Sequence, residues 1–243
     1  RVDTNMRFTR VGEHNTFLKD SLYFMLALQD WKSEGRDIEA EMERLRSRGV
    51  RAIVTDDKKL ASMTILPVLL VEDIKKAYVR AATQVRQEVD CQTLLITGTE
   101  GKTGAKSQLH QLLSSQTKVH ANINSANTEI PVLRSLINLR EGDQVELNEV
   151  SVGSNESLRV ERTKWVNPDL CLFTHIGPNH MDMHKTIENV ITAKSSVVEG
   201  LRDNGICIVN SDMEYYQALI NDIELRRPGT KIVTFGSSQT DEA

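Results

Sequence analysis

Apolar residues in the N-terminal part of the chain alternate between short continuous runs and longer amphipathic stretches. Three continuous runs predict strands, the second and third of them buried, at residues 21–28, 50–55 and 66–71. Apolar residues at helical spacing within a charged stretch predict a helix that ends at Gly49, and residues 73–87 predict another helix. This order predicts a small N-terminal α/β domain over residues 1–89 with a partly parallel sheet.

The remainder of the chain, residues 90–243, shows the same alternation with more strands. Continuous apolar runs predict these strands at residues 93–98, 144–152, 168–176, 205–210 and 231–236. Helical stretches lie between them, notably at 102–113 and 183–203. Because strands that alternate with helices favour right-handed crossovers, we predict a doubly wound, mostly parallel sheet domain of the α/β class. Ligands of such sheets bind at the carboxyl ends of the strands.

Composition narrows the range of partners and compartments. The chain carries 30 basic and 34 acidic side chains, a formal net charge of −4, whereas nucleic-acid-binding proteins usually show a basic excess. No window approaches the roughly 18 apolar residues of a membrane span, and the N-terminus lacks the apolar region of a secretory signal. The 3 cysteines lie far apart without a C-x-x-C spacing, which is typical of buried free thiols. We therefore predict a cytoplasmic protein with no nucleic-acid partner and no membrane span.

The first predicted strand of the second domain runs directly into Gly-Thr-Glu-Gly-Lys-Thr, residues 98–103. A strand, a glycine turn, Lys-Thr and a helix together form an arrangement that binds phosphates. Backbone N–H groups bind the anion, Lys102 reaches the terminal phosphates, and the Thr103 hydroxyl holds Mg²⁺. The common P-loop spacing would place glycine where this chain has Ile96. The context still predicts a nucleoside triphosphate site, whereas Lys106, one turn into the helix, is predicted to be solvated.

Carboxylate, imidazole and amine side chains later in the chain suggest metal sites. Glu149 lies near the end of a predicted strand, where its carboxylate would face the nucleotide crevice and suit Mg²⁺. His180 and His184 are spaced so that, on a helix, they could bind zinc. The H-E-x-x-H pattern is absent, because Met181 occupies the place of its Glu. Lys194, taken alone, is interpreted as a solvent-exposed helix lysine.

Four segments together resemble the Mur ligases, the ATP-dependent amide ligases of peptidoglycan precursor synthesis. The first is the shortened loop GTEGKT, which is similar to the family's GT-x-GKT. The others follow in the family's order, at LNEVSVGS (147–154), THIGPNHMDMHKTIENVITAK (174–194) and CIVNSDMEYY (207–216). The N-terminal sequence, from LYFMLAL to RSRGVRAIVT, resembles the precursor-binding domain of the D-alanyl-D-alanine-adding branch. The resemblance spans nearly all of residues 15–236.

The resemblance implies roles for the matching residues. ATP binding is implied for Asn210, at the adenine, and for the loop residues Gly98, Thr99, Glu100, Gly101, Lys102 and Thr103. One Mg²⁺ is implied at Thr103 and Glu149, and a second at His180 and at Lys194 in carbamylated form. A neutral amine that captures CO₂ becomes an anion, which can hold a metal that an ammonium would repel. Lys102, His180 and Lys194 are thus the implied catalytic residues. Ser151 and the stretch 122–127, which contains Asn124, fall where relatives contact the sugar-peptide substrate.

The chain also departs from the family pattern. Asn179 stands where relatives carry Asp, and relatives continue into the rest of the central domain and a third, C-terminal ligase domain. We therefore expect an incomplete central domain and no C-terminal ligase domain, in a fragment or a shortened form. The absence of an initiator Met also suggests a processed product or a fragment. The predicted function is ATP-dependent amide ligation through an acyl phosphate, which joins a nucleotide-sugar peptide or other carboxylate acceptor to an amino acid or dipeptide donor. The alternative is a nucleotide-binding module or P-loop ATPase without ligase activity.

Overall fold

The computed structural model describes residues 6–13, 18–122, 125, 127–151, 156–178 and 184–237, without the side chains of residues 156–159. The chain divides into two compact units between Gln84 and Val85. This division falls inside a long helix, and the boundary predicted at residue 89 lies just beyond the end of that helix. Within the described residues, no helix combines the length and the apolar character that crossing a bilayer requires.

The first unit contains a four-stranded parallel sheet in the order β1-β2-β3-β4. Its strands are β1 (Arg10–Gly12), β2 (Ser21–Phe24), β3 (Val50–Thr55) and β4 (Val68–Leu70). Its helices are α1 (Leu28–Ser33), α2 (Ile38–Ser47), α3 (Lys58–Met63) and α4 (Ile74–Glu88), the last of which continues into the second unit. Helix α2 starts after Asp37, whose side chain accepts hydrogen bonds from two N–H groups of the first turn, and it stops before Gly49 as predicted.

Two predictions for the first unit need correction. The run at 21–28 is a strand only as far as Phe24, because the chain then turns and the N–H of Leu28 donates to the Met25 carbonyl at 3.1 Å. The run at 66–71 does form β4, but Leu69 and Leu70 are 46% and 47% exposed. Strand β4 lies at the edge of the sheet, so an apolar run there does not imply burial.

The second unit contains a six-stranded parallel sheet in the order β10-β9-β8-β5-β7-β6. Its strands are β5 (Gln92–Thr97), β6 (Val119–Ala121), β7 (Val145–Glu149), β8 (Leu170–Phe173), β9 (Ile206–Asn210) and β10 (Lys231–Phe235). Its helices are α5 (Lys102–Leu113), α6 (Glu129–Ile137), α7 (Glu156–Val166), α8 (Ile187–Ser195), a 3₁₀ helix (Ser196–Gly200) and α9 (Tyr216–Arg226). The predicted α/β class with mostly parallel sheets is confirmed. The short strands β1 and β6 were not predicted, because a strand of 3 residues carries little periodicity.

The helix predicted at 183–203 is divided within residues 184–203, and residue 183 lies outside the described residues. Helix α8 starts after Thr186, whose side chain accepts a hydrogen bond from the Asn189 N–H. The 3₁₀ helix then carries the chain to Leu201. The apolar spacing continues through both segments, which explains why the sequence predicts one helix.

Apolar side chains cover both faces of the six-stranded sheet at its central strands, whereas Val233 and Phe235 of the edge strand β10 are exposed. On one face, helix α5 packs against a cluster of buried strand residues, which are Leu94, Ile96, Leu147 and Leu172. Successive strand residues point to opposite faces, and the alternate residues Leu95 and Phe173 are fully buried as well. Both faces are therefore covered at the central strands, and loops and polar groups lie at the ends of these strands.

Strand β5 lies where the winding of this sheet reverses. From β5 the chain passes through α5 to β6 on one side, whereas β8 and the later strands lie on the other side. Strands β5 and β8 are hydrogen-bonded neighbours, so the connections that follow them diverge. Such a switch point opens a crevice at the carboxyl ends of the two strands. The loops after β5 and β8 therefore mark the candidate site.

Candidate functional site

Two glycines shape the glycine loop, which is the segment 98–101 between β5 and α5. Gly98 has a φ of +148° and Gly101 a φ of +79°, both in the region that favours glycine. A Cβ atom at Gly98 would lie 2.2 Å from Thr174 Oγ1 and 2.9 Å from the His175 carbonyl oxygen. Glycine is required at this position because the loop that follows β8 approaches the backbone directly.

Hydrogen bonds fasten this loop to the residues that follow β8. The Thr99 N–H donates to the His175 carbonyl at 2.8 Å, and the Thr174 hydroxyl donates to the Glu100 carbonyl at 2.6 Å. Within the loop, Lys102 Nζ donates to the Thr99 carbonyl at 3.1 Å. Contacts inside the protein therefore set the shape of the loop.

Helix α5 begins at Lys102 with an N-terminus suited to an anion. The first N–H groups of a helix have no intrahelical acceptor, and no side chain caps them at Gly101. The helix dipole adds partial positive charge at this end. Burial lowers the pKa of Lys102, and the carboxylates of Glu149 and Glu100 oppose that shift. The loop, the helix N-terminus and Lys102 together form a set of donors that fits a polyphosphate.

Thr103 and Glu149, the two residues expected at one Mg²⁺, are in direct contact. The Thr103 hydroxyl donates to Glu149 Oε2 at 2.9 Å, and Asn127 Nδ2 donates to Glu149 Oε1 at 2.8 Å. Glu149 ends β7, and only 1% of its surface is exposed. A hydroxyl and a carboxylate are hard oxygen ligands of the kind that Mg²⁺ prefers. The pair therefore fits a divalent cation bound together with phosphates.

Lys106 is buried, contrary to the prediction that it is solvated. It is 4% exposed, and its Nζ donates to the Asn122 carbonyl and to Asn122 Oδ1, each at 3.0 Å. The same Nζ lies 3.4 Å from Glu149 Oε2. Burial lowers the pKa of Lys106, whereas Glu149 raises it. The prediction failed because sequence position alone does not show that this side of α5 faces the ends of β6 and β7.

Asn122 joins the ends of β6 and β7 through its side chain. Its Oδ1 accepts from the Glu149 N–H at 3.0 Å, and its Nδ2 donates to the Glu149 carbonyl at 2.8 Å. The side-chain amide thus satisfies the backbone of Glu149 as a neighbouring strand would. Sequence reasoning assigned no role to Thr174, and it placed Asn122 and Asn127 only within the stretch 122–127 expected at the substrate, not beside Glu149. Asn122 and Thr174 come directly after β6 and β8, so their position at strand ends was a usable signal.

Asn210 ends β9 and lies on the far side of the loop after β8. Its Nδ2 donates to the Thr174 carbonyl at 3.2 Å, and its Oδ1 accepts from the Asp212 N–H at 2.9 Å. Thr174 in turn contacts the Glu100 carbonyl, so one residue connects Asn210 with the glycine loop. The structure therefore brings Asn210 to the same edge of the sheet as Lys102.

Comparison with known proteins assigns this arrangement to a family. The profile of the Mur ligase middle domain matches residues 96–243. The chain belongs to the Mur ligase family. The match begins in β5 and includes the glycine loop, Glu149 and Asn210, so it contains the strand ends described above.

Individual Mur ligases match over most of this chain. A UDP-N-acetylmuramoyl-tripeptide–D-alanyl-D-alanine ligase from Haemophilus influenzae is 26% identical, over 86% of this chain and 45% of that protein. The enzyme of that name from Bacillus subtilis is 26% identical, over 74% of this chain and 39% of the relative. A MurF ligase from Thermotoga maritima, solved in complex with ADP, matches with a TM-score of 0.74 and 19% identity over 95% of this chain and 51% of that chain. The chain thus spans about half or less of the length of these relatives.

Lys194, which resembles the carbamylated lysine of Mur ligases, is buried. It lies in the last turn of α8 and is 8% exposed, so the interpretation as a solvent-exposed helix lysine is wrong. The neighbouring Ser195 hydroxyl contacts Asp222 and accepts from Arg226 Nε at 3.1 Å. These bonds fix the end of α8 to α9, which holds Lys194 in a defined position.

Of the remaining residues that match Mur ligase positions, the structure describes Ser151 but not Asn124 or His180. The Ser151 N–H donates to the Asn127 carbonyl at 2.8 Å, so Ser151 adjoins a residue that binds Glu149. Asn124 and His180 lie outside the described residues, and so does the zinc alternative that required His180. Within the part of the chain that the structure describes, no group of three or more His, Cys, Asp and Glu side chains is arranged to hold a metal ion.

Proposed function

We propose that this chain binds Mg-ATP at the glycine loop and serves ATP-dependent amide ligation. The observation that carries the proposal is the contact between Thr103 and Glu149 at the N-terminus of α5. It places a hydroxyl and a carboxylate beside a helix terminus and Lys102 in a chain of the Mur ligase family. This combination supports binding of a nucleoside triphosphate with its divalent cation.

The residues of the loop would then bind and position the phosphates. Lys102 and the first N–H groups of α5 would hold the terminal phosphates, while Thr103 and Glu149 would ligate Mg²⁺. Mg²⁺, when bound, neutralises phosphate charge. A substrate carboxylate would attack the γ-phosphorus and displace ADP, which leaves an acyl phosphate. An amine would then attack the acyl carbon and displace phosphate, which completes the amide. Phosphoryl transfer of this kind depends on positioning and charge more than on covalent participation by the protein.

The proposed substrates are a nucleotide-sugar peptide, as the carboxylate acceptor, and an amino acid or dipeptide, as the amine donor. Two kinds of relative support this class. One is named UDP-N-acetylmuramoyl-tripeptide–D-alanyl-D-alanine ligase, and the other, from Rickettsia conorii, UDP-N-acetylmuramoyl-L-alanyl-D-glutamate–2,6-diaminopimelate ligase. Peptidoglycan precursor synthesis is therefore the proposed setting. Asn124 and Ser151 remain the proposed contacts to the acceptor.

Binding of Mg-ATP can be tested by calorimetric titration with a non-hydrolysable ATP analogue. We expect magnesium-dependent binding that Lys102→Ala weakens by at least about tenfold, because a charge-assisted contact to phosphate is lost. Lys164→Ala, on the exposed side of α7, is the matched control and should bind as the parent chain does. Release of ADP that requires both a carboxylate and an amine would support ligation. Binding without such turnover would support the nucleotide-binding module, and absence of binding would refute both.

We also propose that Lys194 is carbamylated and, with His180, holds a second Mg²⁺. The support is its burial at a position that matches the carbamylated lysine of the family. Chain equilibrated with ¹³C-bicarbonate should give a carbamate carbonyl signal in the NMR spectrum. Lys194→Ala should lack this signal, while Lys231→Ala, which removes an exposed lysine on β10, should retain it. A spectrum that Lys194→Ala leaves unchanged would contradict the proposal.

A further inference from the structure

The Lys106 ammonium lies in the interior of the second unit, beside Asn122 and Glu149. Its Nζ is 3.0 Å from the Asn122 carbonyl oxygen, 3.0 Å from Asn122 Oδ1 and 3.4 Å from Glu149 Oε2. Only 4% of the residue is exposed, so water does not replace these partners. Glu149 is the one of these partners that carries a negative charge.

Glu149 is equally enclosed. It is 1% exposed, and its two carboxylate oxygens accept hydrogen bonds from Thr103 and Asn127. Both of these donors are neutral, and a carboxylate removed from water needs a compensating positive charge as well as hydrogen bonds. Lys106 supplies that charge from the same helix that carries Lys102 and Thr103. The ammonium and the carboxylate together form a pair that is neutral overall.

We propose that Lys106 is the resident counter-ion of Glu149 and makes divalent-cation binding at Glu149 depend on the nucleotide. The inference rests on the proposed function, in which Glu149 ligates Mg²⁺. A bare divalent cation that approaches Glu149 Oε2 meets the Lys106 charge 3.4 Å from the same oxygen, and Lys102 lies one helical turn away. A triphosphate brings several negative charges to this edge of the sheet, so the net electrostatic effect on a divalent cation becomes attractive. The metal and the nucleotide therefore bind together, and the metal alone binds weakly.

The test is binding of Mn²⁺ alone, without nucleotide, measured from the electron paramagnetic resonance signal of the free ion. Lys106→Met keeps the length of the side chain and removes its charge. We expect this variant to bind Mn²⁺ at least about tenfold more tightly than the parent chain, and Lys106→Met with Glu149→Gln to lose the gain. Lys164→Met on the surface should behave like the parent. A Lys106→Met variant that binds Mn²⁺ no better than the parent would overturn the proposal.

A second variant separates the charge from the structural contacts of Lys106. Lys106→Gln retains a donor for Asn122 and lacks the charge, so it should also bind Mn²⁺ alone; binding equal to that of the parent would count against the proposal. If neither single variant folds, the double variant Lys106→Met with Glu149→Gln is tested for folding. Recovery of folding would support a counter-ion role, because the unpaired carboxylate is then removed, and continued failure to fold would refute it. Failure of the parent to bind Mg-ATP would refute the proposed function and, with it, the dependence of the metal on the nucleotide. The Mn²⁺ comparison contains no nucleotide, so it tests the counter-ion role of Lys106 separately.

Discussion

The hydroxyl of Thr103 donates a hydrogen bond to Glu149 Oε2 across 2.9 Å, although 46 residues separate the two in the sequence. Strand pairing explains the contact. Strands β5 and β7 are parallel neighbours with Ile96 opposite Glu149, so β7 ends beside the loop that leads from β5 into α5. Thr103 occupies the first turn of that helix. The two strands therefore deliver a hydroxyl and a carboxylate to one point.

Removal of the Thr103 hydroxyl should affect only the magnesium-dependent part of nucleotide binding. Thr103→Val keeps the shape of the side chain and loses the oxygen. We expect the affinity for an ATP analogue to fall about tenfold in Mg²⁺ and to stay unchanged in EDTA, as calorimetry would show. Ser107→Ala on the exposed side of α5 is the control and should match the parent chain under both conditions. An equal loss in Mg²⁺ and in EDTA would show that Thr103 does not act through the metal.

Two glycines near this site should respond in opposite directions to alanine. Gly98→Ala should lower the free energy of unfolding by roughly 2–4 kcal/mol, because it adds strain at positive φ and overpacks the loop. Its Cβ would lie 2.2 Å from Thr174 Oγ1. Gly104→Ala should raise the free energy of unfolding by about 0.5–1 kcal/mol, because Gly104 is helical and a Cβ there meets nothing within 4 Å. Urea denaturation of both variants measures the difference, and equal effects would contradict this account of the loop.

Glu146 should make the stability of the chain depend on pH. Burial raises the pKa of its carboxyl above the ordinary 4.5, although hydrogen bonds from Asn148, Thr93 and Ser135 oppose the shift. Above that ordinary value the unfolded chain loses the proton and the folded chain keeps it, so folded protein binds more protons and its stability falls as pH rises. The contribution is fully present at lower pH and is lost as pH rises through the folded pKa.

Glu146→Gln isolates this effect. The free energy of unfolding of the parent, relative to Glu146→Gln, should decrease in urea titrations as the pH rises above the ordinary value of 4.5. Glu141→Gln, which removes an exposed carboxylate on the turn before β7, should show a difference that varies less with pH. A constant difference for Glu146→Gln would mean that the folded and unfolded chains hold this proton equally.

The three cysteines should resist thiol reagents in the folded chain. Cys91, Cys171 and Cys207 are free and buried, and burial raises the pKa of Cys207 to about 12. The thiolate is the reactive form, so at pH near 8 very little of it is present or accessible. Ellman's reagent should detect almost no thiol in the native chain and all 3 after unfolding in guanidinium. A Ser115→Cys variant, exposed after α5, should add one rapidly reacting thiol and serves as the positive control.

Much of the second unit could be predicted from local patterns. Helix α5 has the predicted bounds of residues 102–113, and the later strands lie within the predicted runs. Strong periodicity and glycine at the turns act over a few residues, so a single sequence reveals them. The same reasoning failed where burial depends on neighbours. Leu69 and Leu70 are exposed because β4 is an edge strand, and Lys106 is buried because α5 faces the ends of β6 and β7.

The sequence by itself determined the α/β class and the resemblance to the Mur ligases, and it predicted phosphate binding at residues 98–103, because each depends on residue types within a short segment. Only the tertiary structure decided which polar groups meet. Asn122, Asn127 and Lys106 surround Glu149 through hydrogen bonds and an ion pair, although each of them lies 22 or more positions before Glu149 in the sequence. Parallel strands bring distant segments to one edge of the sheet, and their pairing follows from long-range packing that no local pattern specifies.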